Sequence, residues 1–155
     1  MADLDLLRDC RALTCWRPWP QLIAVRLKPV ENRVHLHTGW RGKLLIHAGL
    51  RWDPIGWAMA VQHGLDDMPM HTGYLAVADL VDVHQAGTKP CACDTTWAQA
   101  GAWHWVLDNV IAFTEPIPGP GRQGLFRPPV EIAARAEELV AAASTLHTTT
   151  KGNLT

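Results

Sequence analysis

Residues 14–48 read TCWRPWPQLIAVRLKPVENRVHLHTGWRGKLLIHA, and the apolar period changes part-way through them. Trp19, Leu22, Ile23 and Arg26 fall at i, i+3, i+4 and i+7, one stripe of a helix that opens at Pro18 and runs to Val25. Proline suits a first turn, where its missing N–H has no partner to lose. Pro29 stops that helix, and Val30–Val34 reads as extended chain. Gly39 and Gly42 bracket a turn before Lys43–Ala48, a dense apolar run of the kind buried on both faces of a sheet.

Outside this stretch the pattern stays mixed. Residues 4–9 predict a short leading helix within an N-terminal lead, 1–11. Ala12-Leu13-Thr14 predicts a strand, and Pro54–Gly64 a helix with Ile55, Ala58, Met59 and Gln62 on its inner side. In Gly73–His84, Tyr74, Ala76, Ala78, Leu80 and Asp82 alternate with Leu75, Val77, Asp79, Val81 and Val83, a clear strand. Residues 85–102 predict a long loop, a length that is often functional. Trp103–Phe113 predicts strand, 115–121 irregular chain rich in Pro and Gly, and Gly124–Phe126 a short apolar plug. A terminal helix spans 128–147, and 148–155 reads as a polar tail. Strands do not alternate regularly with helices. That favours an α+β fold, a small mixed β-barrel with helices packed outside, over a doubly wound sheet.

The chain has 155 residues and a net charge of −1, with 48% hydrophobic and 19% charged residues. That is a globular composition and about one domain. No apolar run suffices for a membrane span, and the acidic start, Met1-Ala2-Asp3-Leu4-Asp5, is unlike a secretory signal. The expected location is the cytoplasm, where Cys10, Cys15, Cys91 and Cys93 are expected as thiols. Charge is uneven. Residues 8–51 carry nine Lys/Arg against only Asp9 and Glu31, whereas 52–155 carry five basic and eleven acidic residues. A basic segment in a near-neutral chain points to a local anionic ligand, with a solvated basic face as the plainer alternative.

The elements Pro18-Trp19, Lys28-x-x-Glu31-x-Arg33 and Arg41-Gly42 leading into Leu44-Leu45-Ile46-His47-Ala48 resemble the ASCH domain family, whose fold is similar to that of PUA domains. Gly73–Asp82, Trp105-Val106-Leu107, Pro116-Ile117-Pro118 and Gly124-Leu125-Phe126 are similar to later parts of the family pattern. The resemblance covers residues 12–127. Leu27 departs from it, standing where many members have a glycine before the lysine. The resemblance implies a twisted barrel with a cleft beside the first helix, a cleft that receives RNA or a nucleobase-like ligand. Some ASCH-like proteins are small amidohydrolases on acylated cytidine, with a lysine and a threonine three residues later. Here that later position is Glu31.

The residues agree in kind. Glu31 and Arg33 lie two apart and share a face of an extended segment, and Lys28 reaches toward them. A guanidinium fork, a point charge and an acceptor together orient a polar planar ligand. An Arg–Glu pair tying the helix to the barrel is the structural alternative. Bases stack on aromatic faces, and Trp16, Trp19, Trp40, Trp52 and Trp57 lie in or next to the basic segment. Trp19 and Trp57 are expected in the core, Trp16 and Trp40 at the cleft. The expected ligand-binding set is Trp16, Lys28, Glu31, Arg33, Trp40, Arg41 and His47. The expected function is binding of RNA or a modified nucleoside. The alternatives are a hydrolase with Lys28 and Glu31 as catalytic candidates, Thr14 or Thr38 being within reach, and a module that docks a protein on exposed tryptophans. No cofactor is expected. His84, Cys91, Cys93 and His104 form a weak zinc set, because Cys-x-Cys fits structural zinc spacing poorly, so no metal is expected either.

Overall fold

The computed structural model describes residues 7–87, 93 and 96–151. Strands β1 (Arg11–Arg17), β2 (Val30–Arg33), β3 (Gly42–Trp52), β4 (Gly73–Gln85), β5 (Trp103–Ile117) and β6 (Leu125–Phe126) form one sheet in the order β2-β5-β4-β3-β1-β6. β1 runs parallel to β3, and every other neighbour is antiparallel. Helices α1 (Trp19–Ala24) and α2 (Pro54–Gln62) lie with one apolar cluster, and α3 (Val130–Lys151) with another.

Alternation along the strands builds these two cores. Leu13, Cys15, Leu44 and Ile46 meet Ile23 of α1 together with Ala78, Leu80, Trp105 and Leu107. Ala12, Leu45 and Tyr74 meet Ile132, Ala136 and Leu139 of α3. A third cluster joins Leu22 of α1, Ala60 of α2 and Trp97. Gly56 lets the first two helices touch, since a Cβ there would lie 2.9 Å from Pro18 and from Trp19. α2 therefore buries Gly56 and Ala60; of its expected inner residues Met59 packs against the third cluster, while Ile55 is exposed.

The expected closed barrel is not formed. Among the described residues no ladder joins β2 to β1 or β6. β2 has only four residues, and β6 pairs with β1 at Ala12 and Leu13 alone. The edges still approach through side chains. The Arg33 guanidinium on β2 reaches the Thr14 carbonyl on β1 at 3.5 Å. The sheet is curled, with an open seam.

Other boundaries differ from expectation. Residues 7–9 are a turn, and 1–6 lie outside the described residues. β5 continues through Glu115, Pro116 and Ile117 because Tyr74 of β4 pairs with Ile117. α3 runs on to Lys151, past the expected start of the tail at Thr148. No helix among the described residues is long and apolar enough to cross a membrane.

Candidate functional site at the open seam

The turn after α1 sets the site. Arg26 takes φ 63°, a conformation that disfavours residues with a Cβ. Its side chain answers by donating from Nε to the Val110 carbonyl at 2.8 Å. Leu27 and Lys28 both donate backbone N–H groups to the Leu22 carbonyl, so the chain folds back tightly and enters β2. The sharp turn falls one residue before Leu27.

Glu31 then lies 5% exposed between two cations. Lys28 Nζ donates to Glu31 Oε2 at 2.8 Å and also to the Val30 carbonyl. Arg33 Nη1 stands 3.8 Å from Glu31 Oε1. The buried Cys15 thiol has its pKa pushed far up, first by burial and then by the Glu31 charge. Lys28 is 2% exposed and lies 5.2 Å from the Trp19 ring centroid. It holds Glu31 and does not itself line the seam cleft, the place expected for it.

The cleft in front has a volume of about 550 Å³. Trp16 and Trp19 form its aromatic wall, with Glu31, Asn32 and Arg33 along β2. Asp53 caps α2 by accepting from the Ile55 N–H at 2.9 Å and fixes Trp19 by accepting from its indole N–H at 2.8 Å. Trp16 is 48% exposed, with the Arg51 guanidinium 5.4 Å from its ring centroid. At Trp16, Arg33 and Gln123 the cleft meets a second groove of about 810 Å³, which adds Arg51 and Arg122.

His47 lines that second groove. Its Nε2 donates to the Gly119 carbonyl at 2.9 Å, so Nδ1 accepts from the Thr14 hydroxyl at 3.2 Å. Burial holds the His47 pKa below its ordinary value, and the Gly119 bond opposes that only in part. The Gly121 backbone roofs the pair, since a Cβ there would sit 2.3 Å from the Thr14 hydroxyl.

Trp16, Glu31 and Arg33 thus meet at one cleft, and His47 borders the adjoining groove. Trp40 and Arg41 do not join them. Trp40 packs on the core beside Gly42 beneath the Arg11 guanidinium. Arg41 turns to Asp82 at 3.6 Å. Thr38 is occupied locally, accepting from the Trp40 N–H. The reason is geometric: β3 runs parallel to β1, so its later residues Leu50 and Arg51 reach the groove beside Trp16, while Arg41, just before its start, lies at the opposite end. Trp19, expected in the core, lines the cleft, and Trp57, expected in the core, is 38% exposed and packs edge-on against Trp52. Sequence reasoning passed over Asn32, Asp53 and Gln123. Asp53 before Pro54 carries a readable helix-cap signal; Gln123 carries none.

No protein-family model and no curated protein matches the chain. Among solved structures, it is similar to a single-substitution variant of the ASCH protein of Zymomonas mobilis, with a TM-score of 0.51 and 14% identity. The match covers 86% of this chain and 98% of that one. The fold is ASCH-like. In this chain the sheet stays open at the seam between β1 and β2, where the buried Lys28 and Glu31 lie.

Proposed function

We propose that the seam cleft binds single-stranded RNA or a modified nucleoside, with Trp16 stacking on a base and Arg33 meeting the anionic or carbonyl edge. The observation that carries this is the meeting of Trp16 and Arg33 in both cavities. Glu31, held by Lys28, offers its remaining acceptor capacity at the cleft floor. Arg51 and Arg122 extend the positive lining along the second groove, which has no carboxylate among its described lining residues. A single-stranded polyanion needs this pairing of cationic track and aromatic platform. A thermal-shift screen of nucleosides and short RNA oligomers tests it. A ligand that binds the folded chain raises its melting temperature, and Trp16→Ala should abolish the rise.

A second reading is hydrolysis of an acylated nucleoside. Lys28 and Glu31, its candidates from sequence, hold each other and serve that reading poorly. The observation that favours it is the Thr14–His47 pair: a hydroxyl on a neutral imidazole whose other nitrogen is oriented by a carbonyl. Turnover of acylated cytidine that is lost in Thr14→Val supports hydrolysis, and its absence in the unaltered chain leaves binding as the function.

A further inference from the structure

We propose that His84, Cys93 and His104 form a site for a zinc-class divalent ion at the end of the β4–β5 ribbon. His84 and His104 lie directly opposite each other in the antiparallel ladder, with ring centroids 5.3 Å apart. Cys93 Sγ stands 3.6 Å from His84 Nε2. One ligand atom from each of the three residues lies within 4.8 Å of the others. A thiolate at ~2.3 Å and an imidazole at ~2.0–2.1 Å from a tetrahedral ion are themselves separated by roughly 3.6 Å. Two imidazoles and a thiolate suit zinc and disfavour calcium or magnesium, which take oxygen ligands.

The surrounding groups orient both rings for that task. His84 Nδ1 donates to Asp82 Oδ2 at 2.7 Å, which leaves the lone pair on the nitrogen that faces Cys93. His104 Nε2 donates to the Gln99 carbonyl at 2.7 Å, which leaves its lone pair on Nδ1. The Gln99 N–H is in turn held by Asn32 Oδ1 at 2.9 Å. Carboxylate and carbonyl partners of this kind fix ligand tautomers and orientations in metal sites. A bound ion would tie β4 and β5 to the segment around Cys93, and through Gln99 and Asn32 it would brace one wall of the seam cleft. The sequence spacing makes this set look weak because its histidines come together only by strand register. Cys91, the other cysteine of the Cys-x-Cys pair, lies outside the described residues.

The test uses the full chain, stripped with a chelator and titrated with Zn²⁺ or Co²⁺ alone. We expect about one equivalent of tightly bound Zn²⁺, and Co²⁺ should produce a thiolate-to-metal charge-transfer band that Cys93→Ser removes. Asp82→Ala should weaken Zn²⁺ by about 10–100-fold. Imidazole nitrogen NMR on the unaltered chain gives a readout independent of any variant's folding: the His84 and His104 signals should shift on adding Zn²⁺. A folded chain that takes up no zinc, or that takes it up without moving those signals or the charge-transfer band, overturns the site.

Discussion

Arg33 and Arg41 belong to the same basic segment, eight positions apart in the chain, yet they end in different electrostatic settings. Around Arg41 the cations are matched: Arg41 faces Asp82, and Lys43 Nζ lies 2.6 Å from Asp79 Oδ1. At the seam, Arg33 shares Glu31 with Lys28, while Arg51 and Arg122 line the groove beyond. Acidic residues of β4 therefore neutralise two of the nine cations in what composition suggests is a binding face. Other cations of the segment are spent on architecture. The Arg17 guanidinium donates to the carbonyls of Gly49, Leu50 and Met70 and stacks 4.3 Å from the Trp52 centroid. The lesson is that a charge count along the chain locates a ligand only after strand pairing has subtracted the neutralised residues.

The contrast breaks most visibly at Lys28. Lys28→Met leaves Glu31 buried without its main partner, and such losses run to about 3–5 kcal/mol, or roughly 10 °C in melting temperature. Adding Glu31→Leu to the same chain should restore most of the loss, because a buried pair replaced by apolar side chains is often neutral. Thermal unfolding of the single and double variants reads this directly. If Lys28→Met alone melts like the unaltered chain, the pair is not buried as described.

Trp16→Ala should leave folding intact, since the ring is half exposed. It should weaken RNA affinity by about 1–3 kcal/mol, the worth of one stacked base. Fluorescence anisotropy with a labelled single-stranded oligomer checks it. Trp40→Ala in the same assay should instead lower stability, since that ring packs on the core.

His47 gives a smaller, pH-dependent effect. Its folded pKa lies below the ordinary 6.5, so the unfolded chain binds the proton more readily. Stability should then be fully present above about pH 6.5 and decline as pH falls from there toward the folded value. His47→Gln should flatten that part of the stability profile, as followed by denaturant melts between pH 5 and pH 8.

Much of this was legible in the sequence, and the residues show why the rest was not. β1, β3, β4 and α1 follow from short-range apolar periods, and Lys28, Glu31 and Arg33 are adjacent enough for local geometry to bring them together. The parallel pairing of β1 with β3 is non-local, and it alone decides that Arg41 leaves the seam. Barrel closure failed as an expectation because β2 and β6 are too short to complete the ladder. Trp57 leaves the core because Gly56, not Trp57, is the contact between α1 and α2, whereas Trp19 packs on the core with one face and lines the cleft with another. The His84–His104 pair is a matter of register, invisible to spacing.

Arg41→Gln is expected to change neither melting temperature nor RNA affinity measurably, as exposed pairs contribute little. That makes it the control for the central claim, that the seam and not the basic segment as a whole holds the ligand. The direct measurement is the salt dependence of single-stranded RNA affinity for the unaltered chain, Arg33→Gln and Arg41→Gln. Each lost phosphate contact reduces the slope of log affinity against log salt by about 0.7 for a single strand. The account predicts weaker binding and a shallower slope for Arg33→Gln alone. Equal slopes for all three, or a shallower slope for Arg41→Gln, would contradict it.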